Sequence, residues 1–244
     1  MDFAFMAETF VALLAGVPLT LQLAGISVAV GGVLGLGLAA MRLSGFAPLD
    51  WIAAAYVFVF RGTPLLVQIF LIYYGLSQFP AVRQTFLWPF LREPYWCALL
   101  ALTLNGAAYA SEIIRGGLQS VPAGQIEAAR ACGMSGPLLF RRIVFPIAVR
   151  QALPAYGSEI ILMVKATSLA SIITMMEVTG IAHKLISQTF RAVEIFIVAG
   201  AIYLVLNFLV TRAIQLIEWR LSPHQRPADP ILSGPRLATE ASTP

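Results

Sequence analysis

The stretch GQIEAARACGMSGPLLFRRIVFP, Gly124 to Pro146, is the most polar continuous segment of an otherwise apolar chain. Just before it, Ser120 and Val121-Pro122 form a helix entry, because a serine caps free amides and a proline is tolerated in a first turn. A helix from about Pro122 to Cys132 is expected to stop at Gly133, the residue type that takes the left-handed stop conformation most cheaply. Ser135-Gly136-Pro137 then reads as a second cap and start, with a short helix running through LLFRRIVF to Pro146. Two short helices around a glycine corner result. The polar segment from Arg115 to Phe145 covers about thirty residues, where a bare connection needs a handful, and long ordered loops usually carry function. Leu138, Leu139, Ile143 and Val144 are more apolar than a solvated loop requires. Such a hairpin suits the groove of a soluble partner. It equally suits an anionic lipid surface, with Arg141 and Arg142 at headgroup level. Spacing alone does not separate the two.

The chain around the hairpin is 244 residues long, 59% hydrophobic and 11% charged. Soluble domains carry roughly a quarter charged residues, so the composition points to an all-α integral membrane protein. A span needs about 20 mostly apolar residues. Five stretches qualify: about Val17–Met41, Trp51–Gly75, Tyr95–Arg115, Pro146–Lys165 and Ile195–Leu216. The hairpin, about 120–145, falls between the third and fourth. Residues 1–16 read as an N-terminal outer or interfacial segment, since Phe3–Leu14 is too short to cross. No Lys or Arg precedes Arg42, so a signal peptide's basic start is missing. Residues 17–220 form the transmembrane domain, and residues 221–244, rich in Pro, Ser, Thr and Ala, read as a disordered cytoplasmic tail.

With the N-terminus outside, Arg42, Arg115, Arg130, Arg141, Arg142, Arg150, Arg212, Arg220, Arg226 and Arg236 lie on or near the cytoplasmic side. Arg83, Arg92, Lys184 and Arg191 then face outward. The positive-inside rule therefore favours N-out, C-in, with the hairpin in the cytoplasm. In the first span, Gly31 and Gly35 make a GxxxG spacing that admits a close neighbour. Cys97 and Cys132 stand alone, without a CxxC or a histidine cluster, and read as ordinary thiols. The basic excess is too dispersed for nucleic acid. No internal repeat supports an inverted-repeat carrier. Only His183 and His224 are present, without HExxH, so a membrane enzyme finds little support.

Ionisable residues at membrane depth are functional candidates by default. Arg61 lies in FRGTP, where Gly62 and Pro64 interrupt the second span and free backbone groups. With Thr63 it either contacts a solute carboxylate or gates a path, or it holds spans together through an ion pair. Glu159 lies thirteen residues after Pro146, roughly 20 Å into its span at the helical rise. It either meets a cationic part of a solute or pairs with Arg61. Glu112 and Arg115, three residues apart on one helical face, read as a local ion pair. Lys165, Thr167 and Ser168 fall where the fourth span meets the outer side.

The sequence Glu127-Ala128-Ala129, followed by Gly133, Ile143 and Pro146, reproduces the EAA signature of permease subunits in ATP-binding-cassette importers. RGTPLLVQIFLIYYGL (Arg61–Leu76), AYASEIIRGGLQSVPAGQIEAARACGMS (Tyr109–Ser135) and ALPAYGSEIILMVKATSLASIITMMEVTG (Ala152–Gly180) resemble the polar amino-acid branch, in particular its histidine/lysine/arginine/opine members. The likeness covers roughly Leu19 to Arg220. Relatives often carry Asn and Asp where this chain has Ser158 and Ala166.

The resemblance implies that the hairpin is a coupling helix docking on an ATPase dimer, with Glu127, Ala128, Ala129, Gly133, Ile143 and Pro146 as coupling residues. It further implies a second permease chain, a periplasmic solute-binding protein, a bacterial inner-membrane location and a polar amino-acid cargo. Arg61, Thr63, Glu159, Lys165, Thr167 and Ser168 become candidates to line the path. ATP and Mg are expected on the partner ATPase, with no cofactor in this chain. The sequence agrees, since no GxxxxGK[ST] occurs in it. The competing reading is a self-contained ion-coupled carrier or channel.

Overall fold

The structure, a computed structural model, describes residues 2–221. The tail reading from 222 onward lies outside the described residues, and Leu221 itself ends a helix. The described residues are helical with no strand. In order come α1 (Phe3–Leu14), α2 (Val17–Leu43), α3 (Ala47–Gly62), α4 (Leu65–Gln78), α5 (Pro94–Gln119), α6 (Ala123–Ala131), α7 (Gly136–Ile173), α8 (Val178–Thr189) and α9 (Ala192–Leu221). Short helical turns at Pro80–Arg83 and Trp88–Leu91 lead from α4 to α5.

Four helices, α2, α5, α7 and α9, are long and apolar enough to cross a membrane. Helices α3 and α4 add a fifth span when the pair is counted as one. They are bent by 103° at their break. The second span is thus two helices rather than one interrupted rod. Pro64 has no amide to donate and holds Thr63 extended, at φ −112 and ψ 143, so the helical ladder cannot continue through it. The fourth span differs too, because Pro146–Lys165 is only the middle of a 38-residue helix.

Helix α5 forms the centre. Of its most apolar window 61% is buried, against 33% for α2 and α7 and 28% for α9, so those three leave most of that surface uncovered by the rest of the chain. Gly31 and Gly35 explain how α2 reaches α5. A Cβ on Gly31 would lie 3.1 Å from the Thr103 carbonyl oxygen, and one on Gly35 would lie 2.8 Å from Ala110 Cβ. The GxxxG seam is therefore filled from within the chain, by the Thr103–Ser111 stretch.

Residues 2–16 do not stand apart from this body. Leu13 and Thr9 of α1 are buried, and Leu13 belongs to the same apolar core as Leu102, Met163 and Ile195. The Asp2 carboxylate caps α1 by accepting from the amides of Ala4 and Phe5, at 3.1 and 3.2 Å. Arg191 ties this end down, 3.3 Å from Asp2 and 2.9 Å from Glu194, with its guanidinium 4.2 Å from the Phe5 ring centroid. The cap amide of Phe5, and then Arg191, hold the Asp2 carboxyl below the usual carboxylate range.

Candidate functional site

Three arrangements carry the chemistry, and the hairpin comes first. Ser120 does not open it: this residue closes α5, with its hydroxyl donating to the Gly117 carbonyl at 2.7 Å. Pro122 occupies the N-cap of α6 instead, extended at φ −61 and ψ 132, a conformation its ring favours. The corner falls at Gly133, whose φ of +77 lies in the left-handed region. The Gly133 amide donates to Arg130 and the Met134 amide to Ala129, at 2.9 and 3.1 Å. This pair of bonds is a Schellman stop.

The second arm is not a separate helix. It starts after Ser135 as the first turn of α7 and passes through a π turn at Phe140–Val144 into the span. Glu127 and Ala128 are exposed on α6, whereas Ala129 is buried together with Val121 and Leu139. Ile143 and Pro146 are half-buried on α7. The surface open to a partner is therefore Glu127 and Ala128, flanked by Arg130, Arg141 and Arg142, while Ala129 lets the hairpin close on itself.

The second arrangement is a cleft of about 430 Å³ between α5 and α7, lined by Asn105, Tyr109, Glu159, Lys165 and Ser168 among others. The guanidinium of Arg61 lies 5.0 Å from the Tyr109 ring centroid. No ion pair joins Arg61 to Glu159 among the described residues, so pairing, one of the two sequence readings for these residues, is not formed. Thr167 does not face the cleft. It is fully buried, with its hydroxyl turned back to the Val164 carbonyl at 2.8 Å, because the 3-10 turn after Ala166 rotates it inward. Thr63 is also occupied: its hydroxyl donates to Val59 at 2.8 Å and accepts from Gln68 at 2.9 Å.

Gln68 and Asn105 went unremarked in the sequence, yet they hold the break open. The Gln68 amide donates to the carbonyls of Phe60 and Thr63 at 2.9 and 3.1 Å, and its oxygen accepts from Asn105 at 3.1 Å. Asn105 also donates to Phe60 at 3.1 Å. The carbonyls freed by Pro64 thus find partners inside the protein, as backbone at this depth requires. The available signal was a lone amide side chain in each of two apolar stretches.

The third arrangement is ionic. Arg115 Nε donates to Glu112 at 3.1 Å and Arg115 Nη1 to Gln119 at 2.8 Å. Arg42, at the end of α2, stands 3.0 Å from Asp50 and 3.8 Å from Glu112. One cluster ties α2, α3 and α5 at the hairpin end. A further acid, Glu177, is fully buried and caps α8, accepting from Thr179 and Gly180 amides at 2.9 and 2.8 Å and from Tyr203 at 2.7 Å. Its place after Met175-Met176 gave no periodic signal.

A model described as "Binding-protein-dependent transport system inner membrane component" matches residues 31–223. The chain belongs to this family. It is 66% identical over 225 residues to the octopine transport system permease protein OccM of Rhizobium radiobacter, covering 92% of each chain. It is 59% identical over 227 residues to the nopaline transport system permease protein NocM of Agrobacterium fabrum, covering 93% of this chain and 94% of that one. The fold matches a solved amino acid ABC transporter with histidines at a TM-score of 0.80 and 36% identity, over 90% of this chain and 99% of the other. Family members are permeases, and this chain is a multi-pass inner-membrane permease of an ATP-binding-cassette importer of the polar amino-acid and opine branch.

Proposed function

We propose that the chain imports basic amino acids or opines, driven by ATP hydrolysed on a separate ATPase dimer that docks on the α6–α7 hairpin. A second permease chain, identical or homologous, completes the path, and a periplasmic binding protein delivers the solute. In this reading the N-terminus is outside, the hairpin is cytoplasmic, and residues 17–220 act as the transmembrane domain. ATP and Mg belong to the partner, and this chain has no ATPase site of its own.

One observation carries the reading. The helix that starts in the hairpin at Gly136 is the helix that brings Glu159 and Lys165 to the cleft. From Gly136 to Glu159 the helical rise gives roughly 35 Å without a loop. A displacement imposed on Glu127 and Ala128 passes through the Gly133 corner into that rod and moves the cleft wall as a body. The cleft suits the cargo. Lys165 in the cleft, and Arg61 beside it over the Tyr109 ring, can take an α-carboxylate, and Glu159 can take a guanidinium or amine. Opines and basic amino acids carry these groups, and two relatives are named as octopine and nopaline transport system permeases.

The test uses the assembled complex in proteoliposomes with its binding protein. Glu127→Lys and Gly133→Pro should each cut uptake at least about tenfold while the chain still inserts, the loss expected when one charged contact or one αL corner fails. ATP hydrolysis should continue without solute. Full uptake in both variants rejects the lever.

A further inference from the structure

Ser27 is fully buried on α2, and its hydroxyl has no hydrogen-bond partner. This is unusual among the described residues. Thr20, Ser158, Thr189 and Thr211 all turn their hydroxyls back to the carbonyl four residues earlier, the default for such side chains in helices. Ser27 instead lines a small cavity of about 10 Å³ between α2, α5 and α7, which Tyr156 and Glu159 also line. That volume holds the centre of a single water, and a buried water needs two to four polar partners. Tyr156 already donates to the Val28 carbonyl at 3.0 Å, which leaves its oxygen free to accept. Two hydroxyls and a carboxylate are a water's complement, and too few for a hard cation, which gathers roughly six or more oxygens.

Glu159 lines both this cavity and the 430 Å³ cleft, so the small cavity lies behind the residue as seen from the cleft. The geometry points to a resident water held by Ser27 and Tyr156 that donates to the Glu159 carboxylate from behind. Ser27 is then a positioning residue: through one water it holds the carboxylate toward the cleft, with one lone pair already engaged. Gly31 and Gly32, which also line the cavity, keep α2 close enough for Ser27 to reach it. The proposal rests on the cleft reading above only in naming what Glu159 meets on its other side.

The experiment is a density map of the whole transporter in lipid nanodiscs, fine enough to show ordered water, paired with infrared spectra of the Glu159 carboxylate isolated by subtracting Glu159→Gln. A water peak within hydrogen-bond distance of both Ser27 Oγ and Glu159 is expected. Ser27→Ala should lose the peak and move the carboxylate stretch to higher wavenumber, and Ser27→Thr, which keeps the hydroxyl, should restore both. Where cationic and neutral solutes are compared, Ser27→Ala should lower the preference for the cation roughly three- to tenfold, the worth of one bridging hydrogen bond. A dry cavity, or a carboxylate stretch indifferent to Ser27→Ala, overturns the proposal. The map decides the water whatever Glu159→Gln does to uptake, so the water and the substrate role of Glu159 fail separately.

Discussion

At the scale of single residues, buried polar side chains decide more than the charges that first draw attention. Gln68 and Asn105 satisfy carbonyls that Pro64 leaves without partners. Truncating either leaves a buried acceptor bare, at a cost of about 1–3 kcal/mol. Asn105→Ala should therefore lower the melting temperature of the detergent-solubilised protein by several degrees, and Asn105→Asp should do no better, since it removes the donor. An unchanged melting curve would mean that water takes over the role. Asp2 gives a pH test of opposite character. Its carboxyl is held low by the cap amides and Arg191, so the tie between α1 and Arg191 is intact above the ordinary carboxylate range and is lost as pH falls through the depressed value. Protection of the Phe3–Leu14 amides, taken relative to intrinsic exchange at each pH, should fall as pH drops through that depressed value, and Asp2→Asn should remove the dependence.

At the scale of elements, glycines that the sequence assigns to a corner, a break and a close approach differ in how much of that role local sequence reveals. Gly133 was legible as a corner because its neighbours on both sides read as helix, and it does sit at a φ of +77. Gly62 and Pro64 were legible as a break for the same local reason. Gly31 and Gly35 were legible only as a close approach, since their partners Thr103 to Ser111 lie some seventy positions away and no local pattern names them. The size of the bend at that break, 103°, and the π turns at Leu71–Gly75 and Phe140–Val144 were illegible, because no residue type marks an angle or an extra residue in a turn. Gly35→Leu should prise α2 from α5, and loss of folded protein on extraction is the expected result. Gly37→Leu meets open space and should be tolerated.

At the scale of the molecule, membrane class and the polar hairpin followed from composition and from one uninterrupted polar run, quantities that survive any rearrangement of contacts. The site was only partly legible. Glu159, Lys165 and Ser168 meet at one cleft, but Thr167 turns inward, and Tyr109 and Asn105 join from a helix whose face no local pattern marked. The π turn at Phe140–Val144 adds one residue to a helix that otherwise joins hairpin to cleft without a break. An α-helix turns about 100° per residue. The π turn absorbs that surplus residue within one wide turn, so the hairpin keeps the azimuth a regular helix would give it. Inserting one further residue just after Val144, where no wide turn absorbs it, should swing the hairpin by about that angle. The cleft would stay intact while the lever pointed elsewhere, giving a permease that inserts and folds but is out of phase with its motor.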